Sequence, residues 1–299
     1  MKNRFIIIFT AFLMMLTAFI PGAVDASTGD QGINEKLGLP IVVYGEALSD
    51  AQKSEVTDLL EVDRHEQVDE FTVTGQDIAN YIGGNPNSNM YSSVKIIHKD
   101  EENLNIEIVT PDNITEVTKE MYANALLTAG VENADVMVAS SVKVSGHSAL
   151  TGIYKAYDSK GVKLDEERMK IANEELDVAT SIAKEGDVSE DEISQLLTEI
   201  KKDIAEQNPA TKEEVQQIVE EQISNMNIEL SEEDRQRLTD LFNQMRDLNI
   251  NFDEVRNQLD DLTGQITDII NDEGFWNKVS NSIKTFFDSL ADFFRSILN

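Results

Sequence analysis

The sequence predicts an α+β protein: an N-terminal antiparallel sheet with helices on one face, in a split β-α-β-like arrangement, followed by an acidic all-helical bundle region. Three observations carry this prediction. Short β-branched or alternating runs recur up to residue 139 and none follows Ser145. Beyond it, apolar residues recur at spacings of three and four, the period of one helix face. The stretch 161–274 holds 31 acids against 11 bases, a net of −20, so most of the charge lies on the helical half.

The elements follow in order. Ile41-Val42-Val43-Tyr44 is a short β-branched run and reads as a buried strand. Ser49 is placed to cap a helix from Asp50 to Leu60. Glu70–Thr74 reads as a strand, Gln76–Ile82 as a short helix stopped by Gly83-Gly84, and residues 85–89 (NPNSN) as a loop. Ser93–His98 and Asn103–Thr110 read as a hairpin, with Leu104, Ile106 and Ile108 on its buried face. A helix is expected from Thr115 and Glu116 to Ala129, ended by Gly130, and a last strand at 134–139. Strand-helix-strand-strand-helix-strand is the split β-α-β order.

Helices are then expected at 146–157, 165–185, 190–206, 211–226, 232–247 and 253–271, with Ser145, Ser189 and Ser231 as N-caps of three of them. A seven-residue pattern repeats 22 residues apart, Met226–Glu232 and Leu248–Glu254. Each copy reads as a helix end, an Asn turn, a buried Ile and the next N-cap, since Asn tolerates the left-handed conformation that ends helices.

Four segments result: a signal peptide at 1–26, an α+β domain at 38–158, a helical domain at 160–272 and a C-terminal amphipathic helix at 275–299. The first has Lys2 and Arg4, an apolar run from Phe5 to Ile20, and small residues before Ala26, the three parts of a cleavable secretory signal. Its apolar core is shorter than the roughly 20 residues a spanning helix needs. The expected product is secreted and extracytoplasmic, from a Gram-positive bacterium, with residues 275–299 as the one segment that could return it to the membrane surface. The chain has no cysteine, which removes disulfides, thiol chemistry and Cys-based metal sites together. With 56 acidic residues against 25 basic ones, nucleic acid is not an expected partner, because phosphate binding requires clustered Lys and Arg.

Residues 275–299 hold five of the chain's 12 Phe residues and its one Trp. Phe275, Trp276, Ile283, Phe286, Phe287, Phe293 and Phe294 fall on one wide stripe, and the segment is net +1. Such a helix suits docking on its own bundle, on a membrane surface or envelope partner, or on a second copy.

The search for chemistry yields no catalytic set. Gly146-His147-Ser148-Ala149-Leu150 lacks the second Gly of a nucleophile elbow. No zinc, phosphate-loop or EF-hand pattern occurs, so neither a metal nor another cofactor is expected. Polar residues at element ends make the one candidate binding surface: Thr74, Gln76, Asp77, Tyr81, Ser145 and His147.

The blocks VVYGEALSDAQ, FTVTGQDIANYIGG, MYSSVKII, LNIEIVTPDNIT, YANALLTAGVENADVMVAS and VSGHSALTGIYKAY together resemble the YpuA-like secreted proteins of Firmicutes, a family of unknown function. The resemblance implies an exported envelope protein and carries over no site residue. The expected role is a non-catalytic binding or interaction module taking a wall polymer or protein ligand. Two alternatives stand beside it: an envelope hydrolase or other enzyme with a site near His147, and a divalent-cation-binding acidic protein.

Overall fold

The computed structural model describes residues 38–263, apart from 64, 66, 101–102, 187, 249 and 253–256. All of these lie in one of two units of the chain, Glu35–Asn299. The expected signal peptide (1–26) and the aromatic segment 275–299, with Phe275, Trp276, Ile283, Phe286, Phe287, Phe293 and Phe294, lie outside the described residues.

The class is α+β, with a five-stranded sheet in the N-terminal half followed by helices. The strands are β1 (Ile41–Gly45), β2 (Asp69–Val73), β3 (Ser93–His98), β4 (Leu104–Ile108) and β5 (Ala134–Ala139). Among and after them come α1 (Asp50–Leu59), α2 (Gly75–Ile82), α3 (Lys119–Ala129), α4 (Ser148–Ser159), α5 (Glu166–Glu185), α6 (Glu190–Gln207), α7 (Lys212–Asn225) and α8 (Glu232–Asp247). Residues 257–263 are again helical.

The arrangement of the sheet departs from the expectation. Its order is β2-β1-β3-β5-β4, and it is mixed: β1 and β2 are parallel, β4 and β5 are parallel, and β3 runs antiparallel to both β1 and β5. Each parallel pair is therefore a strand-helix-strand unit, through α1 and α3. The expected β3–β4 hairpin does not form, because β5 sits between those strands. Adjacent strands lie about 4.8 Å apart, so a five-residue connection of about 16 Å reach crosses two spacings without difficulty. The place between β3 and β4 goes to β5, whose Ala134, Val136 and Val138 fill one face and whose Ala139 is buried on the other.

Helices lie on both faces rather than one. In β1 every residue is buried: Ile41 and Val43 join the main core, while Val42 and Tyr44 pack against Val56 and Leu60 of the α1 region. A continuous apolar strand has two faces to cover. On the main side one buried cluster runs from the sheet through α3 and α4 to Leu241 and Phe242 of α8. There α3 packs on α5 and α6, α5 on α8, and α7 on α6 and α8.

Caps set most helix boundaries. Ser49, Ser189 and Thr211 form capping boxes with Gln52, Glu192 and Glu214, and Ser231 accepts from Asp234 N–H. Two starts differ from expectation. α3 begins at Lys119 under Thr118, because Ile114 forms a parallel bridge with Val144 and Thr115 N–H donates to Val144 O. α4 begins at Ser148: Gly146 takes φ +108°, and the buried Tyr122 hydroxyl donates to its carbonyl. In the repeat, Asn227 is left-handed (φ 53°), and Ile228 and Ile250 make matching bonds to Ile223 O and Met245 O.

Candidate functional site

The polar residues singled out from the sequence are bonded within the fold. Thr74 caps α2, its N–H and hydroxyl both donating to Asp77 Oδ2 (2.8 and 2.9 Å). Lys155 of α4 donates to the other oxygen of Asp77 at 3.0 Å. Tyr81 donates to Asp158 Oδ2 at 2.9 Å and stacks edge-on against Tyr154; its hydroxyl pKa is raised by burial first and by Asp158 second. Gln76 is exposed and bonded to Asn80. The Ser145 carbonyl accepts from Glu116 N–H.

His147, at the start of α4, places Nε2 3.1 Å from Thr180 Oγ1 and 3.4 Å from Asp177 Oδ1. The Thr180 hydroxyl also lies 2.9 Å from Leu176 O, the back-bond of a threonine inside a helix. Eight residues separate His147 from Lys155, about 12 Å along a helix, so the two halves of this surface sit on different turns of α4.

A groove lies elsewhere, along β4, one of the sheet's two edge strands. A recess of about 940 Å³ is lined by Asn105, Ile106, Glu107 and Ile108 on one side. The α3 start (Thr118, Lys119, Glu120), the end of α5 with its following loop (Ala183, Val188) and the α6 start (Ser189, Glu190, Asp191) line the others. Successive strand side chains point to opposite faces. A recess touching four in a row therefore runs along the edge. A smaller recess of about 50 Å³ shares Asn105, Ile106, Lys119 and Glu120 and ends against Gln258, Asp261 and Leu262.

The register shows which backbone groups face the groove. Val109 N–H donates inward to Val138 O, whereas Leu104 N–H donates outward to Gln258 Oε1 at 3.0 Å. In a parallel strand alternate residues present both N–H and C=O to one side. Asn105 and Glu107 thus pair with β5, and Ile106 and Ile108 direct their amides into the groove. Among the described residues, neither outward N–H has a partner.

The floor is apolar and the rim acidic. Ile106, Ile114, Val117 and Val188 are buried there together with Glu120, while Glu107, Glu190 and Asp191 are more exposed, with Lys119 as the one cation in the lining. Glu120 is 2% exposed, and its Oε1 receives no hydrogen bond among the described residues; Lys119 Nζ stands 3.3 Å away without bonding geometry. The carboxyl of Asp191 is raised by loss of hydration and then by Glu120. That of Glu190 is raised by loss of hydration, although part of it still meets solvent, and then by Asp191 and Glu116. A helix start ordinarily favours carboxylates, but here dehydration and like charge outweigh the dipole. The arrangement is suited to a cation.

The model of the family described as "Protein of unknown function (DUF1002)" matches residues 44–262. Over 308 aligned positions, 100% of this chain and 98% of the relative, the "Uncharacterized protein YpuA" of Bacillus subtilis (strain 168) is 32% identical. The chain belongs to the DUF1002 family. No solved structure matches it. All groove residues, from Asn103 to Leu262, fall inside the DUF1002 match.

So does a buried polar network that the sequence reading missed. Lys201 (0% exposed) on α6 bonds Glu175 (1%) on α5 at 2.5 Å, and donates to Asn124 O and Oδ1 at 2.8 and 3.1 Å. Thr128 donates to the second Glu175 oxygen at 2.6 Å, and Thr198 bonds Asn124. Burial lowers the Lys201 pKa, opposed by Glu175. The signal was present: Lys201 interrupts the stripe Ile193, Leu197, Ile204, and Glu175 the stripe Ile171, Val178, Ile182. Among the described residues no group of three or more His, Asp or Glu could hold a metal, and no helix is long and apolar enough to cross a membrane.

Proposed function

We propose that this DUF1002 protein is an exported, non-catalytic binding module of the cell envelope, whose β4 groove takes an extended peptide segment carrying basic side chains. The carrying observation is the pair of outward amides, at Ile106 and Ile108, facing a recess with an apolar floor and an acidic rim. An added strand supplies main-chain partners to such an edge, and its alternate side chains enter the recess. Natural proteins guard exposed edges with short strands and charges; β4 is five residues long and carries Glu107. Secretion is supported by residues 1–26, with their basic start, apolar run and small residues before Ala26.

The test is a titration of the chain from Ser27 with lysine-containing extended peptides, followed by calorimetry or anisotropy. Binding should saturate at one site and weaken about tenfold or more when Glu190 and Asp191 are both changed to Lys, since like charge across an interface costs several kcal/mol. Ile108→Pro removes one outward N–H while leaving the β5 ladder donors in place, and should also weaken binding. Peptide binding indifferent to both changes would remove the reading.

A further inference from the structure

We propose that the buried cluster of Lys201, Glu175 and Asn124 is a self-modification site, where the Lys201 amine condenses with the Asn124 carboxamide to form an isopeptide bond between α6 and α3. This does not depend on the reading of the β4 groove. Three groups of complementary chemistry meet there: an amine nucleophile, an amide electrophile and a carboxyl that can move protons between them. Lys201 Nζ lies 3.1 Å from Asn124 Oδ1 and 2.5 Å from Glu175 Oε1. The amide carbon is one C=O bond beyond that oxygen, so it stands within about 4.3 Å of Nζ. That is a small side-chain movement from the roughly 3–3.5 Å of an attack geometry. An ammonium only donates, so the amide must turn its oxygen to Lys201. Its Nδ2 donates to Thr198 Oγ1 at 2.9 Å and to Ser194 O at 3.2 Å.

The surroundings favour the reaction. Asn124 and Lys201 are 0% exposed and Glu175 1%, so bulk water neither hydrates the amine nor competes for the amide carbon. The ring of the buried Phe252 stands 5.8 Å from Nζ. Loss of hydration lowers the Lys201 pKa, which favours the nucleophilic neutral amine. The step balances in protons and electrons. Glu175 takes a proton from the Lys201 ammonium, and the Nζ lone pair then bonds to the amide carbon. The C=O pair moves onto Oδ1, where Thr198 Oγ1, 3.2 Å away, is placed to donate. Glu175 passes its proton to Nδ2 and takes a second one from Nζ. The bond from carbon to Nδ2 breaks as the carbonyl re-forms, and ammonia leaves with the proton that Glu175 holds. An ammonium side chain and a carboxamide thus become a secondary amide and an ammonium ion, with no oxidant or reductant. The contacts described above are those of the chain before this bond forms. In a chain without cysteine the product supplies what a disulfide supplies elsewhere, a covalent link that restricts the unfolded state.

The intact mass of the chain from Ser27 to Asn299, purified and incubated in its folded form, reads the bond directly. It should be lighter than the sequence mass by one ammonia. A tryptic digest should contain a branched peptide joining Glu120–Lys143 to Glu185–Lys202, uncut after Lys201 because its side chain is no longer a cation. Glu175→Gln keeps the shape of the site and removes the proton carrier, so its folded chain should have the full sequence mass and give no branched peptide. Should that variant not fold, the mass and digest of the unmodified chain decide alone. The full sequence mass in the unmodified folded chain would overturn the proposal. So would loss of ammonia without the branched peptide, which marks ring closure at another asparagine, or the branched peptide in undiminished yield from Glu175→Gln.

Discussion

Replacing Lys201 by Met should be among the most destabilising single changes in the described fold. All three Lys201 protons are used, on Glu175 and on two oxygens of Asn124, and both Glu175 oxygens accept. Met keeps the volume of the side chain but leaves a carboxylate that is 1% exposed with Thr128 as its remaining partner. Breaking a buried pair from one side costs about 3–5 kcal/mol, whereas removing both charges is often near neutral. At about 2–4 °C per kcal/mol for a domain of this size, Tm should fall by roughly 6–20 °C. Lys201→Met with Glu175→Gln should be more stable than Lys201→Met alone, with a coupling of about 2 kcal/mol. Glu175→Gln alone has a distinct pH signature. Burial already holds the folded Lys201 pKa below its unfolded value, and without Glu175 it falls further, so this variant gains more stability than the unmodified chain as pH rises toward about 10.4. Urea melts of the four proteins across pH provide the assay. A Tm for Lys201→Met within about 2 °C of the unmodified chain, or single effects that simply add, would refute the reasoning.

Two further outcomes are expected. Asp77→Asn should lose about 2 kcal/mol in urea unfolding, from the Thr74 cap and the partly exposed Lys155 pair together, while the exposed Gln76→Ala stays within about 0.5 kcal/mol. Glu190→Gln with Asp191→Asn should raise Tm at neutral pH. Both carboxyls are raised in the fold, so their ionised forms oppose folding above the raised range. The gain should shrink as pH falls through the window between the raised and ordinary carboxylate values; an equal gain at pH 7 and at pH 4 would contradict the assigned causes.

The strands and most helices were legible because local signals decide them. The run of apolar residues in β1, the alternation in β4 and the Ser or Thr caps each act over a few residues. Pairing was not legible, because parallel and antiparallel neighbours place the same alternation on the same face. The two-sided burial of β1 could have been read from its unbroken apolar run, and it argued against helices on a single face. Thr74, Asp77, Tyr81 and His147 looked like site residues because they are polar at element ends. Their bonds to Lys155, Asp158 and Thr180 arise from the packing of α4 against its neighbours. The groove escaped notice because its defining features are backbone amides, which have no side-chain signature. Lys201 and Glu175 were visible as charges on apolar stripes, at positions where an amphipathic helix turns its apolar face inward.

Amide hydrogen exchange along β4, with and without saturating lysine-containing peptide, tests the central claim most directly. Strand addition predicts that the amides of Ile106 and Ile108 slow strongly on binding while those of Asn105 and Glu107, already bonded to β5, change little. Unchanged exchange at Ile106 and Ile108 in the bound state would contradict the account, as would protection without this alternation.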